Sequence, residues 1–204
     1  MKILFLGYTD CKVLDFLKSE GNKISSLGPK EPVTLEFIKE KKPDMIISFG
    51  YRKIIKPEII KAYPKKIINL HTSYLPWNRG CYPNFWSHLE NTPKGYSILY
   101  VNEGIDTGDI LLREKIALTD EETLATSYDK IMIGMESLFI KNWNKIKSGG
   151  IKAEPQDLKE GNYHFLNEID KHRIVIEDLG WGTKISDIAK YGKKNKLWIF
   201  RKKA

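Results

Sequence analysis

Apolar positions along the chain switch between two periods. Residues 2–7 form a compact apolar run that ends in glycine, and over 10–20 the apolar residues Val13, Leu14 and Leu17 recur at helical spacing. This reads as a strand followed by a helix. A second short strand is expected at 23–26, and a second helix over 31–41, where Pro32 stands near the start and Leu35 and Ile38 lie one turn apart. The run Asp44-Met45-Ile46-Ile47-Ser48-Phe49-Gly50 is almost continuously apolar, as in a parallel strand covered on both faces. Strands alternating with helices in this way imply a parallel sheet wound in βαβ units.

The fourth strand, Lys66-Ile67-Ile68-Asn69-Leu70-His71, loses its apolar character at its C-terminal end. That end is where open α/β sheets bind ligands. A Pro/Gly/aromatic loop (72–83) and a short helix (84–90) follow. Residues 95–101 alternate in part and 109–118 form the next strand, so the two read as a hairpin-like antiparallel addition around the loop 103–108. Thr119, with Glu122 as its capping-box partner, opens a long amphipathic helix over 119–148, which carries Leu124, Tyr128, Ile131, Met135, Leu138, Phe139, Trp143 and Ile146. Gly149 and Gly150 end it. The remainder holds Pro155, several glycines and short apolar runs at 174–176 and 197–200, and reads as irregular. The expected architecture is α/β: a Rossmann-like, mostly parallel twisted sheet flanked by helices. It divides into a catalytic domain (1–150) and a short C-terminal extension (151–204) packed on that domain or on a partner subunit.

Composition narrows the functional classes. Hydrophobic residues at 41% and charged residues at 29% match an ordinary folded protein and exclude a disordered or fibrous chain. The net charge of +8 is uneven, because eight basic residues stand against one acid over 182–204 and the rest is close to neutral. Such a terminal segment is commonly a solvated face, and its lysines can equally meet the phosphates of a small anion, so no nucleic-acid partner is expected. The apolar start is too short for a signal peptide and no later run reaches a membrane span; a cytoplasmic protein with no membrane partner is the expectation. Cys11 and Cys81 stand alone, without metal-ligand spacing, and no metal is expected.

Asn69 and His71 lie two apart on an extended segment, so both side chains project from one face. An amide donor beside an imidazole suits a reaction in which a carbonyl oxygen gains negative charge. Asp106, in the sequence Glu103-Gly104-Ile105-Asp106-Thr107-Gly108-Asp109, can hydrogen-bond the imidazole or accept a proton. Each of the three also has an ordinary structural use, as a strand-end cap or a turn residue.

The Asn-x-His-x-Ser-x-Leu-Pro segment starting at Asn69 and the glycine-flanked Asp106 resemble the signature of the 10-formyltetrahydrofolate-dependent formyltransferases. This superfamily includes the glycinamide ribonucleotide, methionyl-tRNA and amino-sugar enzymes, and the resemblance runs over about 1–118. It implies a formyltransferase fold, 10-formyltetrahydrofolate as co-substrate, and formyl transfer to an amine, with Asn69 and His71 stabilising the tetrahedral intermediate and Asp106 orienting His71. It also implies a pterin slot formed by Lys53, Ile54 and Ile55 on one side and by Glu103, Gly104 and Ile105 on the other. Structural uses compete here too, with Ile54 and Ile55 as core residues.

The segment from Trp77 to Ser87 looks most like the sugar N-formyltransferases. That likeness implies a nucleotide-linked amino sugar as acceptor, such as a dTDP-4-amino-4,6-dideoxyhexose of the kind used in O-antigen and lipopolysaccharide synthesis, and a homodimer. Arg79 would meet the diphosphate, Asn78 and Asn84 the sugar hydroxyls, and Trp77 or Tyr82 a ring, while Phe85 and Trp86 read as core. Tyr8 and Thr9, at the end of the first strand, join the substrate candidates by the switch-point rule. Gly161-Asn162-Tyr163-His164 is similar to a tail motif of the same branch, and folds back over the site or is a plain turn. The residues after Gly150 are too few for the C-terminal barrel of the tRNA enzymes. The alternatives are a transformylase for glycinamide ribonucleotide or another small amine, and a non-catalytic or nucleic-acid-binding protein on the same fold.

Overall fold

The structure is a computed structural model that describes residues 1–172 and 180–199. Its main sheet is built from β1 (Lys2–Gly7), β2 (Lys23–Leu27), β3 (Met45–Phe49), β4 (Ile67–His71), β6 (Gly95–Tyr100) and β7 (Ile110–Lys115). Their spatial order is β2-β1-β3-β4-β6-β7. The first four pair in parallel, with Leu4 opposite Ile46 and Ser48 opposite Asn69. The helices are α1 (Lys12–Ser19), α2 (Leu35–Lys41), α3 (Pro57–Ala62), α4 (Pro83–Leu89), α5 (Leu124–Lys147) and α6 (Ile185–Lys194). Two residue pairs, β5 (Arg79–Gly80) and β8 (Tyr163–His164), form a separate parallel ladder. The expected α/β architecture, a mostly parallel sheet flanked by helices, is what the chain adopts.

Two compact units emerge. The first comprises Met1–His71, Ile98–Leu112 and Met135–Gln156; the second comprises Thr72–Ser97, Arg113–Gly134 and the described part of Asp157–Ala204. In the first, alternate residues of the parallel strands feed one apolar cluster: Leu4 and Leu6 of β1, Ile46 of β3 and Ile67 of β4 pack with Val33, Ile38, Ile55 and Ile59. Each such side chain, once buried, contributes roughly 1.5–3 kcal/mol against the entropy of ordering the chain. Gly7 ends β1 at φ +125°, and a Cβ there would lie 1.8 Å from the carbonyl oxygen of Phe49, so only glycine lets the two strand ends approach. The helix that follows buries Val13, Leu14 and Leu17. Its N-cap, Cys11, makes no side-chain cap bond; instead Glu136 of α5 accepts from the Lys12 N–H at 2.9 Å.

Helix boundaries follow capping chemistry. The second helix starts at Leu35 because Thr34 caps it, its side chain accepting from the Phe37 N–H. The long helix starts at Leu124, later than the Thr119 start expected from sequence. Thr123 and Thr126 cap each other there: the Thr126 N–H donates to Thr123 Oγ1 at 3.2 Å and the Thr123 N–H to Thr126 Oγ1 at 2.9 Å. Glu122, the expected capping partner of Thr119, instead accepts from the Thr126 hydroxyl and pairs with Lys130.

The second unit has its own core of Phe85, Trp86, Leu89, Leu124 and Ile188. Here Phe85 and Trp86 take the core role weighed for them. The antiparallel hairpin of β6 and β7 is bonded at both ends, Tyr100 N–H to Asp109 O at 2.9 Å and Ile116 N–H to Lys94 O at 3.1 Å. Among the described residues beyond Gly150 the chain adds short elements: β8, a 3-10 helix (Leu166–His172) and α6. The apolar run at 174–176 and the last basic residues, Arg201, Lys202 and Lys203, lie outside the described residues.

Candidate active site

Within the first unit, β4 carries Asn69 and His71 at the C-terminal edge of the parallel strands, and the loop between β6 and β7 brings Asp106 to both. Asn69 Nδ2 donates to Asp106 Oδ1 at 3.1 Å. The other carboxylate oxygen, Oδ2, lies 3.6 Å from His71 Nδ1, beyond hydrogen-bond length and within ion-pair reach. The side chains of His71 and Asp106 are 9% and 13% exposed, so charge on either acts through little intervening water. One amide proton of Asn69 is spent on Asp106, leaving the second for another acceptor.

The loop holding Asp106 is built against its own preference. Asp106 sits at φ +52°, a left-handed conformation that costs an L-residue about 1–2 kcal/mol and that aspartate tolerates better than most. Asn102 Oδ1 accepts from the Gly104 N–H at 3.1 Å and from the Thr107 hydroxyl at 2.8 Å, closing the turn. A Cβ at Gly108 would lie 1.8 Å from the Tyr100 carbonyl oxygen, so the return into β7 requires glycine. The side chain of Gln156, which no sequence signal marked, donates to the carbonyls of Asp106 at 2.9 Å and Gly108 at 2.7 Å.

The residues expected around a pterin divide by exposure. Lys53 is exposed and Ile54 is 78% exposed, whereas Ile55 is buried in the apolar cluster and presents only its backbone. Arg52 N–H donates to Pro29 O at 2.8 Å, and the Tyr51 hydroxyl donates to Glu31 O at 2.7 Å, anchoring the segment. On the other loop Glu103, Gly104 and Ile105 are exposed, and Glu103 pairs with Lys61 of α3 at 3.4 Å. That helix carries no signal in the reading of the sequence. Tyr8 packs edge-on against Phe49, and Thr9 beside it is exposed.

In the second unit the expected acceptor contacts also separate. Asn78 is fully buried: its Nδ2 donates to Thr92 Oγ1 at 2.7 Å, and its Oδ1 accepts from Asn162 at 3.1 Å. Asn84 is buried as well, donating to Leu124 O at 3.1 Å and Ser127 Oγ at 3.0 Å. Both amides, expected from the sequence to meet sugar hydroxyls, are engaged with the protein's own polar groups. Arg79 is half-buried, with Nε donating to Asn162 O at 3.3 Å, and Tyr82 is exposed. Trp77 lines a cavity of about 330 Å³ together with Tyr74, Pro76, Arg113 and Lys115. The Gly161–His164 motif pairs with Arg79–Gly80, and His164 is buried between Glu168 (2.9 Å from Nδ1) and Glu90 (3.1 Å from Nε2), stacked on Trp86. Among the described residues there is no cluster of His, Cys, Asp and Glu able to hold a metal ion, and no helix is long and apolar enough to cross a membrane.

The formyl transferase family profile matches residues 16–141, more than half of the chain. The chain belongs to the formyl transferase family. This formyl transferase is 36% identical over 152 residues to the methionyl-tRNA formyltransferase of Kosmotoga olearia, an alignment covering 74% of the chain and 48% of that relative. To the methionyl-tRNA formyltransferase of Fusobacterium nucleatum it is 35% identical over 131 residues, covering 64% and 42%. It thus spans about half the length of the curated relatives it matches. Among solved structures it is similar to the formyltransferase PseJ of Anoxybacillus kamchatkensis, in complex with UDP-4,6-dideoxy-4-formamido-L-AltNAc and tetrahydrofolate: 37% identity, TM-score 0.87, 94% of this chain and all of that one. A 4-N formyltransferase of Francisella tularensis shares the fold at 21% identity and TM-score 0.70, over 83% of this chain and 78% of that one.

Proposed function

We propose that this formyl transferase moves the formyl group of 10-formyltetrahydrofolate to the C4 amine of a nucleotide-linked 4-amino-4,6-dideoxyhexose. The observation that carries this reading is the Asp106 carboxylate set between the Asn69 amide and the His71 ring. The similarity to PseJ along the whole of that chain supports the sugar acceptor and favours UDP over dTDP as its carrier. The amine nitrogen attacks the formyl carbon, the carbonyl electron pair moves to oxygen, and the bond from that carbon to folate N10 then breaks, leaving a formamide and tetrahydrofolate. The free amide proton of Asn69 and the imidazole of His71 donate to the oxygen as its charge develops. Asp106 aligns both donors and receives the amine proton on its way to N10. Lys53, Ile54 and the backbone of Ile55 contact the pterin, as do Glu103, Gly104 and Ile105.

The identity to methionyl-tRNA formyltransferases supports a second acceptor class, and one assay separates them. The protein is incubated with 10-formyltetrahydrofolate and, in parallel, UDP- and dTDP-linked 4-amino-4,6-dideoxyhexoses, glycinamide ribonucleotide and methionyl-tRNA. Mass spectrometry then follows the formyl adduct. Formylation of a UDP-linked amino sugar is expected. Turnover of only another acceptor removes the sugar assignment, and no adduct anywhere removes the reaction.

A further inference from the structure

Asp106 sits in a left-handed backbone conformation, in a turn where Asn102 Oδ1 accepts from the Gly104 N–H and from the Thr107 hydroxyl. The turn is also held from outside. Ile110 and Glu154 exchange both backbone hydrogen bonds at 2.8 Å, an isolated antiparallel bridge. Two residues further along in opposite senses, Gln156 falls opposite Gly108. Its side-chain nitrogen then reaches two carbonyls of the turn, Asp106 O at 2.9 Å and Gly108 O at 2.7 Å.

We infer that Gln156 is a positioning residue for formyl transfer: its amide spans the Asp106–Gly108 turn and fixes the direction in which the Asp106 carboxylate points. The chemistry is specific to an amide nitrogen. Two carbonyl oxygens call for two donated protons, which a neutral NH2 supplies and a carboxylate of the same shape does not. Gln156 Oε1 is buried and takes no hydrogen bond from the protein, so the side chain's contact with the turn is made through its nitrogen alone. Both ends of the brace lie in the first unit.

This inference rests on the proposed formyl transfer, and the test keeps the two separable. Gln156→Glu and Gln156→Ala are compared with the unaltered protein by hydrogen exchange, followed by mass spectrometry of peptides covering 102–109, and by steady-state kinetics. Loss of the brace is expected to raise exchange in the turn several-fold, with the β1 and β3 peptides unchanged. It is expected to lower kcat roughly 10- to 100-fold with KM nearly constant, since small misplacements of a catalytic group have effects of that size. In an Asp106→Ala background the Gln156 change should add no further loss, because the residue acts through Asp106. Unchanged exchange in the turn overturns the inference, as does a kcat loss that multiplies with Asp106→Ala or an effect confined to KM. Should Gln156→Glu fail to fold, Gln156→Ala buries no charge and carries the same comparison. If the unaltered protein formylates no acceptor, the reaction assignment falls and the exchange measurement alone decides whether Gln156 braces the turn.

Discussion

The Asn69 amide and the Asp106 carboxylate meet at 3.1 Å although 37 residues separate them in the chain. Because Asp106 reaches His71 with its second oxygen, changing the carboxylate to an amide alters both partners at once while preserving shape. Asp106→Asn is expected to lower kcat for formyl transfer by about 10²- to 10⁴-fold, the range for losing a proton acceptor. Asn69→Ala should cost about 10²- to 10³-fold, as for one oxyanion donor. Circular dichroism should show both variants folded. Full turnover by Asp106→Asn would remove the carboxylate from the mechanism.

Neighbouring isoleucines give opposite expectations. Ile54 is 78% exposed and Ile55 is 9% exposed. Ile54→Asp should raise KM for the folate donor several-fold with little change in Tm. Ile55→Ala should remove about 2–5 kcal/mol of stability, as for other buried large-to-small changes. Thermal melts with donor titrations distinguish the two, and a large Tm drop in Ile54→Asp would contradict the assignment of that side chain to the ligand.

Asn84 belongs to the scaffold of the second unit. Replacing it by alanine removes two buried hydrogen bonds, to the Leu124 carbonyl and to the Ser127 hydroxyl, which still bond each other, a loss of about 1–3 kcal/mol. Urea unfolding should register that loss, while KM for the acceptor stays within twofold of the unaltered protein, a rough bound for a residue that touches no ligand. A selective rise in acceptor KM without destabilisation would restore Asn84 to the substrate.

A buried histidine and a half-buried lysine make stability depend on pH. Burial pulls the His88 imidazole down from 6.5 to about 3, with the charge of Lys94 adding to the effect. Between those values the unfolded chain takes up a proton that the native state refuses, so stability should fall as pH drops from about 6.5 toward 3, by up to ~1.4 kcal/mol per unit. Lys94, lowered by burial from 10.5 to about 8, sheds its proton earlier when folded, so stability should rise with pH across that interval. Denaturant midpoints from about pH 3 to about pH 11 check both arms. His88→Gln should flatten the acid arm alone; an unchanged acid arm would place the loss elsewhere.

The strands were legible because an apolar run interrupted by Asn69 and His71 is conspicuous, and the aspartate between Gly104 and Gly108 stands out in the same way. What could not be read is mostly a matter of partners distant in sequence. Asn78 in its loop and Asn84 at a helix start look like exposed polar residues until Asn162 and Ser127 close over them. Gln156 gains its register from the Ile110–Glu154 bridge, which leaves no local periodicity. The sequence alone does not choose the start of the long helix, because Thr119 and Thr123 are both competent caps and only the reciprocal bonds with Thr126 decide between them. Ile54 and Ile55 are chemically alike, and their opposite exposure is set by tertiary packing.

Pairing of Ser48 with Asn69 carries a consequence for folding fidelity. A one-residue slip of β4 along β3 would exchange the orientations of its even and odd positions, turning Leu70 to where Asn69 and His71 now project. The apolar cluster that fixes this alignment therefore also proofreads the chemistry, and a misregistered chain would be catalytically silent even if it stayed compact.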